Sequence, residues 1–102
     1  MDFKVFLCHE ALSDLERLVA YIASRDPVAA GRFGNRLLDA ALSLQAHPER
    51  GRVVPEFRRT DLREIVFRSY RIIYRVDSAH ECLEIVRFWH AARGFPQIPR
   101  GE

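Results

Sequence analysis

Lysine is all but missing from this chain: Lys4 is the only one among 16 lysine and arginine residues in 102 positions. Positive charge is therefore carried by arginine, whose planar fork pairs bidentately with phosphate or carboxylate as lysine cannot. An arginine-rich composition with no functional meaning is the competing reading. Cysteine is scarce too. Cys8 and Cys82 each sit in an apolar run, where a free thiol behaves as a small buried hydrophobe. Neither Cys8-His9 nor His80-Glu81-Cys82 has the spacing of a zinc finger or ribbon. No metal and no cofactor is expected. No apolar run approaches the roughly 20 residues that cross a bilayer, so no membrane role is expected. The segment from Met1 to Cys8 is too short, and too acidic at its start, for a signal peptide. A cytoplasmic location follows as an expectation.

What is present is one domain's worth of core. Hydrophobic residues make up 48% of the chain, enough for a single core over residues 1–102. Net charge is only +2, yet the arginines cluster. Arg50, Arg52, Arg58, Arg59, Arg63, Arg68, Arg71 and Arg75 fall within one stretch, and Arg87 and Arg93 lie beyond it.

The periodicities predict β-α-α-β-β-β. Residues 3–8 read as a short strand. Ala11, Leu12, Leu15, Leu18, Val19 and Ile22 recur at helical spacing and predict a helix over Glu10–Ser24. Ser13-Asp14-Leu15-Glu16 matches a capping box that would start it three residues later. Asp26-Pro27 can cap and open a second helix, Pro27–Ala46, with Phe33, Leu37, Ala40, Ala41 and Leu44 as its stripe. So short a connection makes an antiparallel helical hairpin. Residues 48–61, with Pro48, Gly51 and Pro55, read as a long loop. Strands follow at Leu62–Phe67, Tyr70–Val76 and Cys82–His90. They form an antiparallel meander with the helices on one face, an α+β arrangement. The tail from Gly94 to Glu102, broken by Pro96 and Pro99, is expected to be extended or mobile unless a partner holds it.

Strand alternation sorts the side chains. Tyr70, Ile72, Tyr74 and Val76 should meet the helices, while Arg71, Ile73 and Arg75 line the open face. The face of Arg63 is undetermined. The last strand sets Leu83, Ile85, Arg87 and Trp89 against Cys82, Glu84, Val86, Phe88 and His90. It is apolar on both sides, so something should cover the open face.

These segments, in this order, resemble the RelE/ParE superfamily of bacterial toxins from type II toxin–antitoxin modules. The resemblance rests on Ala11-Leu12-Ser13-Asp14-Leu15 with Tyr21-Ile22-Ala23, and on Pro27-Val28-Ala29-Ala30 through Leu44 with its exit His47-Pro48-Glu49-Arg50-Gly51-Arg52. Leu62-Arg63-Glu64, Tyr70-Arg71-Ile72-Ile73-Tyr74 and His90-Ala91-Ala92-Arg93 complete it. It spans residues 3–95. It implies a RelE/ParE-like fold, a cognate antitoxin as partner in a hetero-oligomer, and one of two activities. ParE-like toxins poison DNA gyrase without a catalytic set of their own; RelE-like toxins cleave mRNA on the ribosome.

Cleavage needs a base, cations for the transition state and an acid. The resemblance offers Arg63, Arg71 and Arg93 for a RelE-like set, or Glu64, Arg71 and His90 for a related subgroup. In the first set a second basic residue is replaced near Ile65 and a tyrosine by Phe95; in the second, Ala91 stands where a hydroxyl is wanted. The long second helix and the His90-x-x-Arg93 ending resemble the ParE branch more. That reading needs no catalytic residues. It makes Arg63, Arg71, Arg75, Trp89, His90 and Arg93 candidate contacts for a partner.

Overall fold

Two helices lie against one face of a five-stranded sheet whose order is β1-β5-β4-β3-β2. The structure is a computed structural model and describes residues 2–99. The elements are β1 (Lys4–Leu7), α1 (His9–Ala23), α2 (Pro27–Leu42), β2 (Arg52–Val53), β3 (Leu62–Phe67), β4 (Tyr70–Asp77) and β5 (Cys82–His90). Single 3-10 turns follow α2 at Ser43–Gln45 and β5 at Ala91–Arg93.

The meander β3-β4-β5 is antiparallel as expected. Two pairings were not legible. β1 runs parallel to β5, Lys4 opposite Cys82 and Leu7 opposite Ile85. The segment expected to be pure loop contributes β2, two residues paired with Arg63 and Glu64.

Helix boundaries moved for local reasons. α1 starts at His9 with Cys8 as its cap residue, so Ser13 and Asp14 lie inside the helix and form no capping box. Leu12, assigned to the apolar stripe, is 45% exposed, while Asp14 is 4% exposed. Asp26 does cap α2: its carboxylate accepts the Ala29 N–H at 3.1 Å, and Pro27 opens the helix. The α-helix ends at Leu42, short of Ala46, and tightens into the 3-10 turn that buries Leu44.

The sheet separates two apolar clusters. On the helix side Ala11, Leu18, Leu37, Ala41 and Leu44 meet Ile72, Tyr74, Leu83, Ile85 and Phe88. On the other side Val54, Leu62, Ile73, Val86 and Trp89 pack with Phe57 and Ile98. The predicted faces of β4 hold. Those of β5 hold only halfway, because a β-bulge intervenes. Ile73 pairs with Arg87 but Tyr74 with Ile85, leaving Val86 as the extra residue. The bulge resets the alternation, so Val86, Arg87 and Trp89 do not share a face with Ile85.

The open face is covered by the chain itself. Val54 and Phe57 come from the 48–61 segment and Ile98 from the tail. Residues 94–99 have no regular secondary structure, and arginines and an indole of the sheet hold them against it. Trp89 Nε1 donates to the Gly94 carbonyl (3.1 Å), Arg87 to that of Gln97 (2.9 Å) and Arg75 to that of Pro99 (2.8 Å). These bonds place residues 94–99 against the sheet; residues 100–102 lie outside the described residues.

Gly51 marks the point where the loop meets the sheet. A Cβ there would stand 2.5 Å from the Glu64 carbonyl oxygen and 2.6 Å from the Tyr74 hydroxyl. The absent side chain lets the Gly51 N–H reach that hydroxyl at 2.9 Å. This bond satisfies the polar end of a fully buried tyrosine.

Candidate functional site

The open face carries a chain of alternating charges. Glu64 on β3 and Arg71 on β4 project to this face, and Arg71 Nε meets Glu64 Oε1 at 2.6 Å. The second Glu64 oxygen accepts from Arg52 at 2.7 Å. The other end of Arg71 is held bidentately by Glu56, at 2.7 and 2.9 Å. Glu64 is 1% exposed and Arg71 8%. Burial of such charges is tolerated only because each is paired and hydrogen-bonded. Beside this chain, Arg75 pairs with Glu84 at 3.0 Å.

These pairings shift the titrations. The Arg71 guanidinium holds the Glu56 carboxyl below its ordinary value of 4.5. Arg59 likewise holds Asp61 below 3.8. In return Glu56, then Glu64, hold Arg71 charged well above the usual guanidinium range. Lowered carboxyl values in the folded state mean stability that is complete above the unfolded values and lost as pH falls through the folded ones. The thermal midpoint should therefore be flat above about pH 5 and fall progressively below the ordinary carboxyl range. Glu56→Gln should flatten part of that acid limb. A pH series of thermal melts checks both; an acid limb unchanged by Glu56→Gln would contradict the assignment.

A second cluster lies at the free edge of β5. β1 pairs only as far as Ile85. Beyond it the edge is closed by side chains of the Cys8–α1 segment. Cys8 Sγ reaches the Val86 carbonyl at 3.3 Å. The Asp14 carboxylate accepts the Phe88 N–H (3.1 Å) and grips Arg87 through two bonds of 2.7 and 2.8 Å. Asp14 thus does for Phe88 what a neighbouring strand would do, and an exposed edge is blunted. Arg87 in turn lies over the Trp89 ring at 4.7 Å, and Arg93 stacks on it at 3.9 Å.

Between α1 and the ends of β4 and β5 is a cleft of about 270 Å3. Leu18 and Phe88 form its apolar part; Asp14, Arg17, Tyr21, Tyr70, His90 and Arg93 surround it. His90 packs edge-on against Tyr70, with ring centroids 5.1 Å apart. Its Nδ1 accepts the Ala92 N–H at 3.1 Å, which leaves a proton on Nε2.

The residues singled out from the sequence do not converge. Glu64 and Arg71 meet, but on the open face and in mutual ion pairs. Arg63 alternates with them and donates to the Gly51 carbonyl at 3.0 Å. Arg75 is tied to Glu84 and the tail. Trp89 is 2% exposed and belongs to the second core cluster rather than the surface. His90 faces the cleft, as does Arg93. Both Glu64 oxygens already accept from arginine, so its lone pairs are not directed at a substrate proton.

Asp14, Arg87 and Glu56 were missed. A signal existed for two of them. Asp14 is the one acid among the buried positions of α1. Arg87 is the one charge in the run Ile85–Trp89. A charge set in an apolar pattern demands a partner.

Comparison with known proteins agrees with this architecture. The family model for the ParE toxin of the type II toxin–antitoxin system parDE matches residues 5–95. Toxin RelE2 of Caulobacter vibrioides is 44% identical over 84 residues, covering 81% of this chain and 89% of that protein. Toxin RelE1 of the same organism is 39% identical over 93 residues, covering 88% and 95%. Among solved structures, the chromosomal ParDE system from P. aeruginosa superposes with a TM-score of 0.72 at 15% identity, over 86% of this chain and 95% of that one. The RelBE2 toxin–antitoxin complex from Mycobacterium tuberculosis gives 0.67 at 24% identity, over 88% and 99%. With the sheet order, the helical hairpin and these matches in agreement, the chain belongs to the ParE toxin family of type II toxin–antitoxin systems, within the RelE/ParE superfamily.

Proposed function

We infer that this toxin acts in the cytoplasm by binding DNA gyrase and poisoning it, and that a cognate antitoxin neutralises it. The observation that carries this reading is the state of the residues a nuclease would need. Glu64 and Arg71 are buried against each other and against Arg52 and Glu56. His90 lies in a different cleft. General acid–base cleavage of RNA requires such groups to surround one scissile phosphate. A toxin that works by binding alone has no such requirement. The match of the ParE family model over residues 5–95 supports the same branch.

Cleavage of mRNA on the ribosome is the alternative, kept because the two Caulobacter relatives bear RelE names. One pair of assays separates the two. Purified toxin should inhibit supercoiling by gyrase and raise the yield of cleaved gyrase–DNA complex, while transcripts in a translating extract stay intact. Codon-spaced cuts in the transcript with gyrase unaffected would reverse the assignment.

A further inference from the structure

In the cleft between α1 and the ends of β4 and β5, Arg17, His90 and Arg93 share a single carboxylate, Asp14, which is already engaged by Arg87. Arg17 is 71% exposed and touches only Asp14, at 3.4 Å. Both Asp14 oxygens are already taken by Arg87, and one by the Phe88 N–H as well. Among the described residues no carboxylate lies within ion-pair distance of Arg93. His90 is committed through Nδ1 alone. Tyr21, 63% exposed and braced by Arg25 at 5.0 Å, forms one wall. By contrast Arg52, Arg59, Arg71, Arg75 and Arg87 are all spent on internal carboxylates.

We propose that this cleft receives an acidic side chain of the bound antitoxin, with an apolar neighbour of that residue resting on the exposed Tyr21 ring. Arg17 and Arg93 would pair with the carboxylate and His90 Nε2 would donate to it; this rests on the antitoxin reading above. The composition of the cleft favours a protein anchor over a nucleic acid. Tyrosine and arginine around an apolar floor are the residue types that dominate protein–protein binding energy. Nucleic-acid binding calls for a continuous basic surface that neutralises several phosphates, whereas Arg52, Arg59, Arg71, Arg75 and Arg87 are neutralised by carboxylates within the fold. Two arginines and an imidazole in one compact cleft match a single carboxylate instead.

Titration calorimetry of the toxin with the antitoxin, taken as the product of the adjacent small gene, tests this. Arg17→Gln should weaken binding about tenfold, and Arg17→Gln/Arg93→Gln further, with a smaller salt dependence. Arg17→Lys, which keeps the charge but not the fork, should fall between wild type and Arg17→Gln, and Arg58→Gln, an exposed change that does not line the cleft, should bind as wild type. Thermal melts report that each variant is folded. If both cleft variants bind as tightly as Arg58→Gln, the proposal is overturned while the antitoxin reading stands. If the wild-type toxin binds no antitoxin, both fall. If the same substitutions instead abolish binding of oligothymidylate and spare the antitoxin, the cleft belongs to nucleic acid and the proposal is again overturned.

Discussion

Asp14→Ala should unfold a large fraction of the molecule's stability, about 4 kcal/mol, read as the shift in a urea or thermal transition. One buried carboxylate there serves three donors: Arg87 Nε, Arg87 Nη2 and the Phe88 backbone N–H. Its removal strands all of them at the sheet edge. Arg87 is 8% exposed, and its other guanidinium nitrogen is held by the Gln97 carbonyl, so it cannot simply swing into water. Stabilities of small domains total about 5–15 kcal/mol, so this one substitution takes a large share. The cause is separable from general damage to α1. A double variant, Asp14→Ala/Arg87→Met, removes the stranded charge and should recover part of the loss. If the double variant is as unstable as the sum of the two single ones, the ion pair is not the source.

Glu64→Ala should cost somewhat less, about 3 kcal/mol. Glu64 is as buried as Asp14, but its partners have exits. The Arg52 side chain is 63% exposed and rehydrates; Arg71 keeps Glu56. What remains uncompensated is Arg71 Nε in the middle of the sheet. Glu64→Gln retains the shape and tests the charge. It should also be measurably destabilised, because a neutral amide cannot hold two guanidinium groups as a carboxylate does. A nuclease base would behave differently: Glu64→Gln would leave the melting transition in place and abolish cutting. A stable Glu64→Gln protein would thus count against the structural role assigned to Glu64.

The elements that were legible are those whose side-chain pattern is set locally. Both helices, β3, β4 and β5 were readable from spacing, and Asp26-Pro27 announced the start of α2. The alternation of β4 placed Tyr74 in the core and Arg71 on the open face. The rest depended on distant partners. β1 joins β5 in parallel through backbone groups, which carry no side-chain signature. β2 is two residues long and exists because Gly51 lets the loop approach Glu64. The bulge at Val86 shifts one residue in an apolar run, so alternation read straight through it fails after Ile85. The candidate site was legible as residue types, not as a constellation. Arg71 and Glu64 were visible, but Glu56 lies in a segment without periodicity, so nothing local revealed that it would claim the other end of Arg71.

The parallel pairing of β1 with β5 also fixes the order in which the molecule can come into being. The helical hairpin is closed by near neighbours and can form early. Lys4 finds its partner only at Cys82, and Asp14 waits 73 residues for Arg87. Contacts this distant in sequence form late in folding. During synthesis the N-terminal strand and α1 must therefore wait, with their sheet-facing residues uncovered, until the last strand has emerged. A chain interrupted before β5 has neither the cleft nor the closed sheet edge. Competence to bind any target then arrives all at once, when β5 joins the sheet, rather than growing strand by strand.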